Sequence, residues 1–386
     1  MTRQPPRQAS VVIIGGGIMG VSTAYHLAAA GVTGVVLVDS GALGSGSTSK
    51  AAGGVRAQFS DSINIRLALR SMRAFETFTE RFGQEIDFHQ VGYLFLLDSA
   101  ADVSSFEDAV RLQNELGVPS RMISPAEAVR RSPLISPDGL LAAVFSPDDG
   151  YCTPESVVLG YATAARGLGA RLIPHCPVTQ IQTRGGGQIT AVVTAGGRIA
   201  TGTVICAAGP WSRQVGGWVG VDLPVTPLRR QVLVTEPISG LARDLPFTID
   251  FGTSFYFHRE GPGLLLGMSD PDETPGFKLS RSDAWLPGLG RAMQRRAPGL
   301  MSAGIRSGWA GLYEVTPDHN ALIGESAAVT RFLYATGFSG HGFLMGPAVG
   351  EVMRDLYLGR PPCIDVAALT ADRFAAAMTR PERNII

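Results

Sequence analysis

Residues 11–39, VVIIGGGIMGVSTAYHLAAAGVTGVVLVD, decide the fold of this chain. The β-branched run Val11–Ile14 precedes a glycine-rich turn, and a segment rich in Ala and Leu then continues to Gly31. A second apolar run, Val35–Val38, ends in Asp39. A strand, helix and strand in about thirty residues predict two parallel strands joined by a right-handed crossover.

Three glycines in the turn, Gly15, Gly17 and Gly20, have the spacing G-x-G-x-x-G. The first allows a tight turn, the second lets the backbone approach a diphosphate, and the third lets the helix pack close to the strand. Amides at the start of the helix favour phosphate charge, and Asp39 can accept hydrogen bonds from a ribose. The unit predicts a dinucleotide site, but it does not choose between NAD and FAD.

The loop that follows, residues 40–56, is small and rich in hydroxyl groups: SGALGSGSTSKAAGGVR. Its amides and hydroxyls could continue along a diphosphate and reach a flavin, whereas a nicotinamide enzyme would normally proceed to its next βα unit. Of the 48 glycines in the chain, 11 fall within the first 54 residues. This clustering indicates a binding site, and the composition of the loop favours FAD.

Composition excludes several classes of function. The 386 residues carry 33 Lys+Arg and 33 Asp+Glu, so no long-range field attracts nucleic acid. The four cysteines have no C-x-x-C spacing, which argues against a zinc site or a disulfide scaffold, and we expect no metal. A polar N-terminus and the lack of an apolar run of about 18 residues predict no signal peptide, no membrane span and a cytoplasmic location.

Later segments predict two further kinds of structure. Apolar residues recur at helical spacing over residues 62–82 and predict one long amphipathic helix. Between about residues 226 and 270, RRQVLVTEP, SFYFHRE and LLLGMSD alternate as in an antiparallel sheet, which can cover a ligand. The last segment returns to a strand, a glycine-rich turn and a helix. We therefore expect an α/β fold with an α+β insert.

Five segments together resemble the D-amino-acid oxidase family of FAD enzymes, within it the branch of sarcosine oxidase, the sarcosine oxidase β-subunit and glycine oxidase. They are VVIIGGGIMGVSTAYHLAAAG, STSKAAGG, VICAAGPWS, GLYEVTPDHNALIGE and ATGFSGHGF. The resemblance implies a discontinuous Rossmann-like FAD-binding domain, with an antiparallel-sheet substrate domain inserted. The predicted ranges are 1–85, 146–225 and 325–386 for the first and 86–145 and 226–324 for the second.

The resemblance implies FAD, bound non-covalently because Gly311 stands where sarcosine oxidase carries its flavin-linked cysteine. In the turn at residues 337–343, a helix N-terminus would stabilise the anionic reduced flavin. The residues implied to contact FAD are Gly15, Gly16, Gly17, Ile18, Met19, Gly20, Asp39, Ser40, Ser47, Thr48, Ser49, Ala52, Gly53, Val178, Ala208, Gly209, Trp211, Gly337, Gly340, His341, Gly342, Phe343 and Leu344.

The reaction implied is hydride transfer to flavin from the amine-bearing carbon of a small amine or amino acid, which gives an imine. Alternatives are a hydroxy acid or alcohol as the donor, or a subunit that passes electrons to a partner protein. Such chemistry needs orientation and desolvation more than a dedicated acid or base. The candidate catalytic residues are His341, Arg56, Tyr313, His258 and Tyr256.

Three family positions differ here in ways that affect substrate and acceptor. Tyr313 replaces an arginine that clamps the substrate carboxylate, and Leu344 replaces a lysine with the same role. Leu265 replaces the lysine that activates dioxygen, so another acceptor is nearly as well supported as dioxygen. The chain has two lysines and 31 arginines, and the cations that could serve instead are Arg56, Arg230 and Arg259. Pro154 near the position of a flavin-linked histidine argues against a second, covalent flavin.

Overall fold

The structure, a computed structural model, describes residues 4–385, in which there are nineteen strands and nine α-helices. The strands are β1 Val11–Ile14, β2 Val35–Val38, β3 Gly54–Val55, β4 Tyr93–Leu97, β5 Arg121–Ile123, β6 Ala142–Ser146, β7 Gly150–Tyr151, β8 Arg171–Ile173, β9 Val178–Arg184, β10 Gln188–Thr194, β11 Gly197–Ala200, β12 Val204–Cys206, β13 Thr226–Thr235, β14 Phe247–Asp250, β15 Phe255–Glu260, β16 Gly263–Met268, β17 Ile305–Val315, β18 Leu322–Glu325 and β19 Phe332–Thr336. The helices are α1 Ile18–Ala29, α2 Ser62–Glu76, α3 Phe78–Phe82, α4 Ala100–Glu115, α5 Pro125–Arg131, α6 Pro154–Gly167, α7 Ser212–Gly217, α8 Leu286–Arg296 and α9 Gly342–Tyr357.

A six-stranded sheet has the order β18-β19-β12-β1-β2-β8 and is parallel except at its edge strand β18. Every residue of β1 and β2 is buried and apolar. This is typical of parallel strands that are covered on both faces of the sheet. Side chains alternate along β1, so Val11 and Ile13 pack towards α1 and α9 while Val12 and Ile14 pack on the other face. The predicted parallel unit and the α/β class are confirmed.

A three-stranded antiparallel sheet, β9–β11, covers that other face, with Ile181 and Val192 in the same core as Val12. This sheet was not predicted. Its sequence, VTQIQTRGGGQITAVVTAGGRIA, nevertheless alternates and contains two glycine-rich turns, which is the ordinary pattern of hairpins.

An eight-stranded sheet has the order β17-β13-β16-β15-β14-β4-β6-β5, and in it only β14 and β4 pair in parallel. It confirms the predicted antiparallel sheet. Leu94 and Leu96 pack on the face covered by α8, whereas Tyr93 and Phe95 face the opposite side. That opposite side includes Tyr256, one of the candidate catalytic residues.

Two details differ from the sequence interpretation. The single helix predicted for residues 62–82 is α2 and α3, separated at Thr77, whose φ of −103° and ψ of 10° interrupt the helix. Strand β6 extends to Ser146 in the eight-stranded sheet, and β18 begins at Leu322 in the six-stranded sheet, so both cross predicted domain boundaries by a few residues. The division into domains stays a prediction.

No helix of residues 4–385 has the length and apolar character needed to cross a membrane. Over the same residues, no three His, Cys, Asp or Glu side chains gather where they could hold a metal ion.

Candidate functional site

A cavity of 640 Å³, here called the large cavity, lies along the glycine turn, the loop after β2, the end of β12 and strand β17. Its size is within the range of small-molecule and cofactor sites, about 300–1,000 Å³. The predicted cofactor residues that line it are Gly15, Gly17, Ile18, Met19, Asp39, Ser40, Ser47, Thr48, Val178, Ala208, Gly209, Trp211, Gly340, Gly342 and Phe343.

Gly15 and Gly20, in and just after the glycine-rich turn that follows β1, have no room for a side chain. Gly15 has a φ of +110°, and a Cβ there would overlap the carbonyl oxygen of Ala207. A Cβ on Gly20 would overlap the carbonyl oxygen of Gly15, so the first turn of α1 is pressed against the strand that precedes it. This close packing leaves the backbone of the turn as the wall of the large cavity, as a diphosphate requires.

Asp39 fixes the shape of the same wall. Its Oδ2 accepts a hydrogen bond from the Gly16 amide at 2.6 Å, and its Oδ1 accepts one from the Gly41 amide at 2.7 Å. A carboxylate has about four acceptor sites, so two protein donors leave capacity for ribose hydroxyls.

Two helices begin at the large cavity, α1 after Gly17 and α9 after His341. Neither first turn contains an acidic residue, and neither N-cap side chain accepts a hydrogen bond from its helix, although Thr48 Oγ1 accepts from the Ile18 amide. The positive ends of both helices therefore face the cavity without an acidic side chain in their first turns. Together with the side-chain-free wall, this donor set fits an elongated, anionic dinucleotide cofactor.

A second cavity of 90 Å³, here called the small cavity, adjoins the large one. The residues that line both are Lys50, Ala51, Arg230, Tyr313, Gly340 and Phe343. Of the predicted site residues, those that line the small cavity are Ala52, Gly53, Arg56, Tyr256, Tyr313, Gly340, His341, Phe343 and Leu344. Four of the five candidate catalytic side chains therefore line the small cavity together, and Tyr313 among them also lines the large cavity.

Arg56 is buried in the wall of the small cavity and is already engaged. Its guanidinium donates to the carbonyl oxygens of Gln58 and Asn384, the latter at 2.6 Å, and lies 4.1 Å from the centre of the Phe59 ring. Burial lowers its pKa, although the group stays charged at neutral pH. Ile385, next to Asn384, also lines the small cavity.

His341 is also buried and packs edge-on against Phe59, with ring centres 5.2 Å apart. Its Nε2 has no hydrogen-bond partner among residues 4–385. Burial, and then the charge of Arg56, lowers its pKa to about 3, so the ring is neutral. Burial raises the pKa of both Tyr313 and Tyr256, so these hydroxyls stay protonated. The small cavity thus offers neutral polar groups with charged arginines beside them.

His258 lies elsewhere. It lines a third cavity of 500 Å³, together with Ser49, Leu265 and Arg259, and its ring stacks on Phe247 with centres 4.7 Å apart. Burial lowers its pKa to about 4. The alternation of side chains along strand β15 predicts which face of the sheet His258 occupies. It does not predict which cavity that face borders, which is why His258 was grouped with the other candidates.

Three predicted cofactor residues, Gly16, Gly20 and Gly337, line none of the three cavities. Gly337 has a φ of +73°, and a Cβ there would overlap Thr316, so it shapes the turn before α9 instead of lining a cavity. Ala51, by contrast, lines all three cavities.

Several side chains on the large cavity were not predicted. Glu314 lies on β17, where burial raises the pKa of its carboxyl and the Thr336 hydroxyl donates to it at 2.8 Å. Gln214 and Trp218 line the same cavity, and Lys50 is a cation within the predicted flavin loop. Lys50 and Glu314 lie in segments that carry the family resemblance, but no residue pattern there marks their side chains as cavity walls. The positions of Gln214 and Trp218 depend on how α7 packs around the cavity.

Comparisons with known proteins identify the family of this chain. Residues 10–356 match the family described as "FAD dependent oxidoreductase". The chain is 32% identical to mouse (Mus musculus) mitochondrial dimethylglycine dehydrogenase over 391 residues, covering 95% of this chain and 44% of that protein. It is 30% identical to human (Homo sapiens) mitochondrial sarcosine dehydrogenase, covering 100% of this chain and 43% of that protein. The chain therefore spans less than half the length of these two relatives.

A solved structure is similar over the whole chain. The crystal structure of L-proline dehydrogenase from P. horikoshii superposes with a TM-score of 0.91 at 32% sequence identity, covering 97% of this chain and 100% of that one. The family match extends from residue 10, before β1, to residue 356 in helix α9. The chain belongs to the FAD-dependent oxidoreductase family.

Proposed function

We propose that this chain oxidises the C–N bond of a small amine or amino acid to an imine by hydride transfer to FAD. The observation that carries the proposal is the small cavity, which shares six wall residues with the large cavity and holds four of the candidate catalytic side chains. By their names, the similar proteins act on dimethylglycine, sarcosine and L-proline. Each of these is a small amino acid with a substituted nitrogen.

The predicted cofactor residues would hold FAD through backbone amides at the two helix N-termini and through Asp39. When bound, FAD supplies the flavin that takes up the hydride. Gly311 lines the large cavity and has no side chain that could bond to a flavin, which supports non-covalent binding. Unfolding the protein in acid should release all yellow colour into the protein-free filtrate.

The side chains of the small cavity would prepare the substrate for this loss of hydride. Hydride departs readily from a carbon beside an uncharged nitrogen, whose lone pair then forms the C=N bond. Val232, Phe247 and Leu344 give the small cavity apolar walls, and such surroundings lower the pKa of an amine and favour its neutral form. The hydroxyls of Tyr313 and Tyr256 would orient the nitrogen, and His341 would remain neutral beside it.

A second candidate is the same chemistry on a hydroxy acid or alcohol, since the fold does not determine the donor. Anaerobic mixing of the flavoprotein with a panel of N-methylated amino acids, amines and hydroxy acids tests both. We expect the flavin absorption to bleach with nitrogen-containing donors of the panel and not with the hydroxy acids. Bleaching with hydroxy acids alone would replace the first proposal by the second.

The electron acceptor forms a separate question. Leu265 lines the 500 Å³ cavity, and this uncharged residue favours an acceptor other than dioxygen, such as a partner protein. We expect the reduced protein to reoxidise slowly in air and quickly with an artificial dye acceptor. Rapid production of peroxide would instead identify an oxidase.

Two further proposals concern organisation and location. The six-stranded and three-stranded sheets with their helices would form the FAD-binding domain, and the eight-stranded sheet the substrate domain. A cytoplasmic location is a further proposal, and fractionation of the cells that make the protein would test it.

A further inference from the structure

We infer that Arg230 binds the carboxylate of the substrate, so that the substrate is an amino acid and not a simple amine. The inference rests on the proposed function, and it names the substrate class and the residue that selects it. A carboxylate that enters a partly buried cavity needs a charged or multiply hydrogen-bonded partner. Tyr313 and Leu344, at two positions where the resemblance would place cations, carry no charge.

The position of Arg230 suits this role. It lies on β13, directly opposite Gly311 of the neighbouring strand β17. Its guanidinium carbon is 5.1 Å from the centre of the Tyr313 ring, and its side chain lines both the large and the small cavity. A group bound by Arg230 would therefore sit at the junction, within reach of the Tyr313 hydroxyl as well.

Most of the N–H donors of Arg230 have no hydrogen-bond acceptor within the described residues. Its Nη1 donates to the carbonyl oxygen of Arg229 at 3.1 Å, while its buried Nε has no partner among residues 4–385. Arg229, the adjacent residue, forms an ion pair with Glu273 at 2.6 Å, but no carboxylate of the described chain pairs with Arg230. A guanidinium has five N–H donors in a planar fork that matches a carboxylate, so most of this fork is available.

The other cations are less suitable. Arg56 already donates to two carbonyl oxygens. Arg259 lines the 500 Å³ cavity and donates to the Gly261 carbonyl oxygen at 3.0 Å. Lys50 borders both the large and the small cavity, but it is exposed, and a hydrated ammonium is a weaker and less directional anchor.

The experiment compares Arg230→Gln and Arg230→Lys with the wild-type flavoprotein. Anaerobic flavin reduction is measured with an N-methylated amino acid and with the matching amine that lacks the carboxylate. For Arg230→Gln, we expect the apparent Kd of the amino acid to rise about 10- to 100-fold, as for loss of a charged hydrogen bond. The Kd of the amine should stay unchanged, and Arg230→Lys should restore part of the affinity for the amino acid.

A second readout needs no turnover. Acetate and propionate should perturb the flavin absorption of the wild type, and this response should weaken to the same extent in Arg230→Gln. Arg259→Gln serves as the matched control, because it removes an arginine from the other cavity, and it should bind the carboxylates like the wild type. Flavin content, read from the visible spectrum, verifies that each variant still holds FAD.

Two results would overturn the inference. One is wild-type protein that reduces its flavin equally well with the amine and the amino acid. The other is an Arg230→Gln variant that loses affinity for both to the same degree. Either result would leave amine oxidation standing, whereas a wild-type protein that bleaches with hydroxy acids alone would remove the proposed function itself.

Discussion

His341 is a neutral side chain in the folded protein because burial, and then Arg56, lowers its pKa to about 3. In the unfolded chain the same ring titrates near about pH 6.5. Between these values the unfolded chain binds a proton that the folded protein does not, so the free energy of unfolding falls as the pH is lowered through this range. The slope contributed by His341 is at most about 1.4 kcal/mol per pH unit.

We expect His341→Gln to remove this contribution. Urea unfolding at about pH 7.5 and about pH 5 measures it as a smaller loss of stability in acid for the variant than for the wild type. The control is His175→Asn, since His175 is exposed and asparagine tolerates its φ of 54°. This control should keep the wild-type dependence on pH. An unchanged dependence in His341→Gln would show that another group causes it.

Among single residues, the sequence was most informative where position depends on local geometry. Gly15, Gly17 and Asp39 line one cavity together, because turn, helix start and strand end are all local features, and their contact with FAD stays a prediction. His258 was placed with the other candidates, yet it borders a different cavity. Lys50 was not considered as a cation, since only the packed structure brings its loop against β17.

At the scale of elements, helices α1 and α9 cross where glycines of α9 meet side chains of α1. A Cβ on Gly350 would overlap Ser22 Oγ, and one on Gly346 would overlap Ile18. We expect Gly350→Ala to separate the helices and to cost about 1–3 kcal/mol of stability, as overpacking does. Because both helices begin at the large cavity, flavin content should fall as well. Urea unfolding and the visible spectrum measure the two effects.

Gly290→Ala is the matched control for this prediction. Gly290 also lies within a helix, α8, but a Cβ there would meet no atom within 4 Å. This variant should keep its flavin and its stability, or gain up to about 1 kcal/mol from helix propensity. If Gly350→Ala behaves in the same way, close contact between the helices is not needed to form the cavity.

Some helices and strands could be predicted from the sequence more reliably than others. The βαβ unit was clear because its strands, turn and helix follow one another. The separation of α2 from α3 at Thr77 was not, because the apolar spacing continues through it and shows which face is buried, not whether the backbone is continuous.

In the molecule as a whole, the segment at residues 382–385 contacts both the small cavity and the start of α2. Glu382 accepts hydrogen bonds from the Ser60 amide at 2.8 Å, the Asp61 amide at 3.1 Å and the Asn64 side chain at 2.9 Å. We expect Glu382→Ala to lower stability by about 1–3 kcal/mol, because buried donors lose their acceptor. Backbone amides near residue 60 should exchange hydrogen faster, as measured by mass spectrometry.

Glu107→Ala, at an exposed position of α4, controls for the loss of one carboxylate. It should change stability by no more than about 0.5 kcal/mol and leave hydrogen exchange near residue 60 unaltered. Equal effects of the two variants would mean that residues 382–385 do not hold this region.

The whole fold was predictable in class but not in every pairing. Alternation between residues 226 and 270 correctly indicated antiparallel strands. Nothing local shows that β4, more than a hundred residues earlier, pairs in parallel with β14, because such a contact depends on the packing of both faces. The buried positions of Glu382 and Asn384 are a long-range feature of the same kind.

Ala51, which borders all three cavities, has a consequence for the order of events in catalysis. Apart from Ala51 and Ala52, the 90 Å³ and 500 Å³ cavities have different lining residues, so each could hold its own small molecule at the same time. An enzyme with two such cavities could bind its second reactant before it releases its first product. Double-reciprocal plots of its steady-state rate, at several fixed concentrations of the second reactant, would then intersect, as they do when a ternary complex forms.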